Sequence, residues 1–306
     1  MREDRASATA EVIAASTLLL ATDPTTAPLV APGACALCEA LLGDSARGRF
    51  LRGSIQCAWM RPVWHAIERM THPGITRHYW LRKRWIEARV RTGLASGVRR
   101  VLVLGAGLDT LALRLAPSFP DVAWVEVDHP ATQTAKRRAL LKAGIPVPPT
   151  VRFVAADLAK NSHWPGEVGT EPGPVMVVLE GLLMYFSRDE VESLLVDRLP
   201  ALAGGPMTVV FSYMVQWPQG RAGFRPSSRL VDTWLALKRE PFRWLQPPEL
   251  LPQWIASLGY SIVAHACPPF DIAPEQTSPS SAVLQGENLV EAVRMAQGAD
   301  SADKQS

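Results

Sequence analysis

The stretch that decides the fold is VLVLGAGLDTLALRLA, Val101 to Ala116. Four apolar residues run into Gly-Ala-Gly, and an apolar pattern of helical spacing follows at once. That order predicts a buried strand, a tight turn and a helix, the entrance to a nucleotide-type pocket. Gly105 and Gly107 permit positive φ and close approach of a ligand to the backbone. The turn continues Leu108-Asp109-Thr110. A loop built for a pyrophosphate wants Gly or Ala at residue 110. It also wants no acid in the first helical turn, where Asp109 is expected, because a carboxylate repels phosphate and offsets the positive helix end.

Outward from this turn the alternation continues. VAWVEV is a second strand closed by Asp128, and Pro130 opens a helix at its favoured first position. VRFVAADL is a third strand ending at Asp157-Leu158. VMVVL, a fourth, runs into Glu180, and SRDEVESLLVDRL is a helix with Ser187 as N-cap. MTVVFSYM is a fifth. Short apolar strands alternating with helices imply a doubly wound, Rossmann-like α/β fold with right-handed crossovers. Residues 1–95 read as a helical N-terminal cap packed on a core domain of 96–297, with a cap insertion at about 215–245 and a flexible tail at 298–306. Within the back half the pattern predicts helices over 228–240 and PPELLPQWIASLG, a strand over YSIVAHA, and a last helix around Leu289 to Met295.

Composition narrows the function. A chain of 306 residues with 47% hydrophobic content buries an ample core. Its net charge is +3 with both signs well mixed, which speaks against nucleic acid; the nearest thing to a basic block is LRKRWIEARVR, Leu81 to Arg91, where acids are few. Cys35, Cys38, Cys57 and Cys267 do not make a disulfide framework, and one C-x-x-C without a second pair does not make a structural zinc site. The N-terminal run VIAASTLLLA is too short to span a bilayer, and Glu3, Asp4 and Glu11 spoil a basic leader. It reads as an amphipathic helix on the main domain of a cytoplasmic protein, monomer or homodimer, with no membrane partner.

The ligand follows from the strand ends. Asp128 stands 21 residues after Gly107, where an acid accepts both hydroxyls of a ribose. That much also fits NAD. Thr110 and Asp109 argue for a cofactor with a ribose but no phosphate, and cationic where the aspartate sits: S-adenosylmethionine. Asp157 with the backbone N–H of Leu158 suits the adenine edge. Glu180 sits at the switch point of the sheet.

LGAGLDT, EVDHP, AADL and EGLLMYF, in that order and spacing, resemble the leucine carboxyl methyltransferase family, including bacterial members that esterify carboxylates in natural-product pathways. The resemblance covers about Tyr79 to Tyr213; the N-terminal third and the back end match poorly and are expected to build the acceptor pocket. It implies a seven-stranded class I methyltransferase sheet and S-adenosylmethionine contacts at Gly105, Asp128, Asp157, Leu158 and Glu180. It also implies an arginine upstream of the turn that grips the cofactor carboxylate, Arg82 or alternatively Arg84. The implied reaction is carboxyl O-methylation of a small natural-product acid.

A carboxylate acceptor is already ionised at neutral pH, with an ordinary pKa of about 4, so positioning and desolvation suffice. Candidates to hold the acceptor anion are Tyr185, Ser212, Tyr213, Arg221, Arg225 and Arg229. His78 lies one helical turn before Arg82. With His129 and Asp232 it forms a candidate divalent-cation site, suited to a hydroxy-dicarboxylic acid. The alternatives are an NAD-type oxidoreductase on the same sheet, a non-catalytic protein of this fold, and methylation of a protein C-terminal carboxylate.

Overall fold

The computed structural model describes residues 7–159, 164–218, 223–225, 242–270 and 284–294. Five helices come first: α1 (Ala8–Ala21), α2 (Ala34–Leu42), α3 (Ala46–Gln56), α4 (Arg61–Thr71) and α5 (Ile75–Ala95). The Ser7 hydroxyl starts α1 by accepting from the Ala10 amide at 3.2 Å. Glu11, Ala14, Ala15, Leu18 and Leu19 form its buried face.

The sheet follows: β1 (Arg100–Leu104), α6 (Leu111–Leu115), β2 (Ala123–Asp128), α7 (Pro130–Lys142), β3 (Val151–Ala155), α8 (Trp164–Val168), β4 (Val175–Leu179), α9 (Arg188–Ser193), β5 (Met207–Val215), α10 (Leu251–Ser257), β6 (Ser261–Ala266) and β7 (Glu287–Arg294). The strand order is β3-β2-β1-β4-β5-β7-β6. All neighbours are parallel except β7, which runs antiparallel to both β5 and β6. A two-residue strand, Leu245–Gln246, adds to the edge of β5 as an eighth. The order reverses between β1 and β4, so their C-terminal ends open the crevice where ligands of such sheets bind.

The apolar strands are continuous because both faces are covered. Val101 and Val103 of β1 point into the cluster shared with α1, α2 and α5, while Leu102 and Leu104 point into the cluster on the other face. Each such side chain, fully buried, contributes about 1.5–3 kcal/mol. Helix α9 opens with a full capping box between Ser187 and Glu190.

Two sequence expectations are corrected. The segment after Leu289 is strand β7, not a helix. Its apolar residues fit helical spacing, and because Glu287 through Ala292 are all buried, no period of two betrays the strand. Asp109 lies before α6, with Thr110 in the cap position, and not within the first helical turn. The helix expected over 228–240 lies outside the described residues. Among the described residues no helix is long and apolar enough to cross a membrane.

Candidate functional site

A cavity of about 460 Å³ opens at the C-terminal ends of β1, β2, β3 and β4. The glycine turn forms its wall. Gly105 has φ +67°, and a Cβ there would fall 2.8 Å from Leu182, so only glycine fits. Gly107, at φ +51°, brings the turn within 3.2 Å of the Ala10 methyl of α1, measured from where its own Cβ would stand. Helix α1 thus covers the turn.

Four acids converge on this cavity. Asp128 is buried at the end of β2; its two oxygens accept from the amides of Gly107 at 2.5 Å and His129 at 2.6 Å. Burial raises its pKa, against the pull of those two amides. Asp109 accepts from the Thr110 and Leu111 amides at 2.5 and 3.1 Å. Burial pushes its pKa up, but the charges of Lys83, Lys136 and Arg114 outweigh that and hold it at about 2. Asp157 accepts from the Ala159 amide at 3.0 Å, which fixes the loop after β3, and Arg198 ties the Leu158 carbonyl at 2.7 Å. Glu180, just past β4, accepts from Arg82 Nε and Nη2 at 3.0 and 2.8 Å and from Lys83 Nζ at 3.2 Å.

Arg82 is the hub of a second, deeper group. Its Nη1 donates to both oxygens of Glu287 on β7, each at 2.9 Å. His78 Nε2 lies 2.7 Å from Glu287 as well. Burial opposes the charge on Glu287, yet Arg82 and then the His78 and Ser212 hydrogen bonds hold its pKa at about 2. Burial likewise disfavours the Arg82 charge, and Glu287 and Glu180 more than restore it, raising its pKa. Arg82 is therefore saturated by two carboxylates. Its neighbour Lys83, also lining the cavity, keeps 27% of its side-chain surface exposed, against 4% for Arg82. Arg84 lines the cavity too, but it is exposed and stacks over Trp80 at 5.4 Å.

The remaining expected residues divide. Tyr185 lines the cavity, with its ring centroid 6.0 Å from that of Phe242. Ser212 is fully buried and accepts from the Gly181 amide at 2.8 Å. Tyr213 is buried in the sheet, bonded to His265 at 3.0 Å and Asn288 at 3.1 Å. Arg225 lies over the Trp217 ring at 4.2 Å. Arg221 and Arg229 lie outside the described residues. Of the metal candidates, His78 is taken up by Glu287 and is not part of the cavity lining. His129 Nδ1 caps α7, accepting from the Ala131 amide at 3.3 Å, and Asp232 lies outside the described residues. Among the described residues no three His, Cys, Asp or Glu side chains are grouped to hold a metal ion. Sequence reasoning missed Lys83 and Glu287: the first stood in an arginine-rich run, and the second in a segment read as helix.

The chain matches the family described as Leucine carboxyl methyltransferase over residues 6–197. It belongs to the leucine carboxyl methyltransferase family. The match includes the N-terminal helices, so the likeness is not confined to Tyr79 onward as the motifs alone suggested. Membership decides against the NAD reading, and the cofactor is S-adenosylmethionine. Among its relatives is a protein of Bacillus subtilis (strain 168) with the name "Putative S-adenosyl-L-methionine-dependent methyltransferase YktD", 30% identical over 43% of this chain and 44% of that one. Another, from Streptomyces avermitilis and of like name, is 35% identical over 54% and 59%. The chain thus spans about half the length of the curated relatives it matches. Two solved structures share the fold at a TM-score of 0.56 each. One is named as a putative methyltransferase from Thermobifida fusca YX, 20% identical over 85% of this chain and 94% of that one. The other is a DUF574 family protein from Streptomyces avermitilis, 14% identical over 84% and 95%.

The residues fit this cofactor. The glycine cradle has no room for a Cβ at 105, Asp128 keeps lone pairs beyond those used by the two amides, and the acids Asp109 and Glu180 flank a cation-lined end at Lys83. A nucleoside with a cationic sulfur and an amino-acid tail matches that donor set; a pyrophosphate does not.

Proposed function

We propose that this protein methylates a carboxylate of a small-molecule acid, giving a methyl ester. The observation that carries the proposal is the meeting, around one cavity, of three acidic strand tips with the Arg82–Lys83 pair, in a chain of this family. In this reading Asp128 holds the ribose hydroxyls, and Asp157 with the Leu158 amide holds the adenine edge. Glu180 meets the cofactor's ammonium, and Lys83 meets its carboxylate. Arg82 fixes Glu180 from below by way of Glu287. Gly105 and Gly107 allow the close approach, and Asp109 keeps a negative field near the sulfur. S-adenosylmethionine, when bound, supplies an electrophilic methyl group on that sulfur.

The protein's own work is then to bring an anionic oxygen into line and to strip it of water. We assign Tyr185, which lines the cavity, to the acceptor carboxylate. An acceptor already ionised at neutral pH needs no proton removed, so catalysis reduces to positioning and desolvation, which together are worth several powers of ten in rate. Incubating the protein with labelled S-adenosylmethionine and a panel of carboxylic acids tests this. A base-labile methyl ester is expected; transfer only to phenols or amines overturns the carboxylate assignment.

A further inference from the structure

We infer that the outer face of helix α4, with the end of α3, docks on a lipid bilayer bearing anionic headgroups. Helix α4 has no buried residue. Val63, Ile67 and Met70 recur at the spacing of a helical face, and Trp59 stands one turn before them. Their exposures are 45, 43, 71 and 73%, and Phe50 on α3, the helix α4 packs against, is 62% exposed. Five of the ten large apolar side chains exposed among the described residues therefore fall between positions 50 and 70. Scattered apolar residues need no explanation, but a stripe of this kind does.

Charge identifies the occupant. Residues 46–77 hold six arginines against one glutamate. Arg49 and Arg69 are exposed, while Glu68 is drawn inward to the Thr76 amide at 3.2 Å. Other titratable groups near this face include His65, which lies 4.0 Å from Glu68, Arg61, which donates to the Ile55 carbonyl, and Arg47, which pairs with Glu11 of α1 at 3.6 Å. A second copy of the chain placed on this face by a twofold axis brings the same arginines against one another, which disfavours a homodimer here. An apolar stripe with an aromatic residue, bordered by arginines, is the pattern of helices that lie in the headgroup region of a membrane. The sequence argument against a membrane rested on spanning length, which does not bear on adsorption to a surface.

The test is flotation of the full chain with vesicles of phosphatidylcholine alone or with about one-third phosphatidylglycerol, at low and at physiological salt. Binding is expected only to the anionic vesicles and is weakened by salt. Each arginine near the surface is worth about fivefold in partitioning, so R49E with R69E is expected to cut binding more than tenfold. V63D with M70D, at exposed positions, is expected to abolish binding while leaving the melting temperature and binding of S-adenosylhomocysteine unchanged. Equal binding to neutral vesicles, or none to either, overturns the inference. So does sedimentation showing a dimer of the wild type that V63D with M70D dissociates, since the face then belongs to a second copy.

Discussion

Glu287→Leu is the most informative single substitution in this protein. Glu287 is wholly buried, and both its oxygens are engaged by Arg82 at 2.9 Å. Burial works against its charge, but Arg82 and the hydrogen bond to His78 bring its pKa from 4.5 to about 2. At about 1.4 kcal/mol per pKa unit, that depression corresponds to roughly 3 kcal/mol of stability. The cost of removing one member of a buried ion pair, about 3–5 kcal/mol, sets the upper end, since Arg82 keeps Glu180 as a partner. The expected result in urea unfolding at pH 7 is a loss in this range, which for a domain of this size lowers the melting temperature by roughly 6–15 °C. Folding lowers this pKa, so the contribution is complete above 4.5 and is lost as pH falls toward 2. The gap between wild type and Glu287→Leu therefore narrows on acidification through that window. The double substitution Arg82→Met with Glu287→Leu removes both charges of this pair and is expected to regain part of the loss, with Glu180 still held by Lys83. A Glu287→Leu protein within about 1 kcal/mol of wild type, with no change across that pH window, refutes the reasoning.

Asp128→Ala removes the acceptor for the proposed ribose hydroxyls; calorimetry is expected to show S-adenosylhomocysteine binding weakened about 10- to 100-fold, as for charge-assisted hydrogen bonds of about 1.5–3 kcal/mol. Lys83→Met is expected to weaken S-adenosylhomocysteine about tenfold while leaving methylthioadenosine, which lacks the amino-acid tail, unchanged; equal losses for both ligands refute its role at the carboxylate. Lys136 donates at 2.5 Å to both Glu126 and the Asp109 carbonyl, so Lys136→Met is expected to cost about 3–5 kcal/mol in urea, partly recovered by adding Glu126→Gln. A chelator is expected to leave methyl transfer unchanged, since His78 is held by Glu287 and His129 caps a helix.

How much of this was legible in the sequence depends on whether a residue acts locally. The glycine turn, the acids ending β2 and β3, the proline opening α7 and the Ser187 cap each follow from their immediate neighbours, and each was readable. Strand β7 was not. A strand buried on both faces loses the alternation that marks a half-buried one, and its two acids look solvated until their partners are known. Glu287 is buried because Arg82 and His78 meet it from α5, more than two hundred residues earlier in the chain. Glu291 is buried with Arg89 at 3.6 Å on the same helix. Lys83 was hidden differently: three consecutive cations offered no local reason to choose, and only burial separates the saturated Arg82 from the accessible Lys83. The amphipathic face of α4 was present in the spacing of Val63, Ile67 and Met70, but an apolar stripe at helical spacing ordinarily means core, and only its exposure makes it a surface.

The family match ends at residue 197, and the acids proposed to touch the cofactor all lie before it. One carboxylate that shares a partner with them, Glu287, does not. Arg82 is shared between Glu180, at the cavity, and Glu287, on a strand that is last in the described chain yet lies inside the sheet, between β5 and β6. Ser212, on β5, touches both sides of this arrangement, accepting from the Gly181 amide and bonding Glu287. The antiparallel strand therefore does more than complete the sheet. Its insertion beside β5 brings a buried carboxylate to Arg82 Nη1, while Arg82 Nε and Nη2 hold Glu180 at the cavity. A protein truncated before β7 loses that counter-charge, and Arg82 is left with Glu180 alone. With Glu180 in its proposed role at the cofactor's ammonium, a change at position 287 is expected to appear in both cofactor affinity and folding.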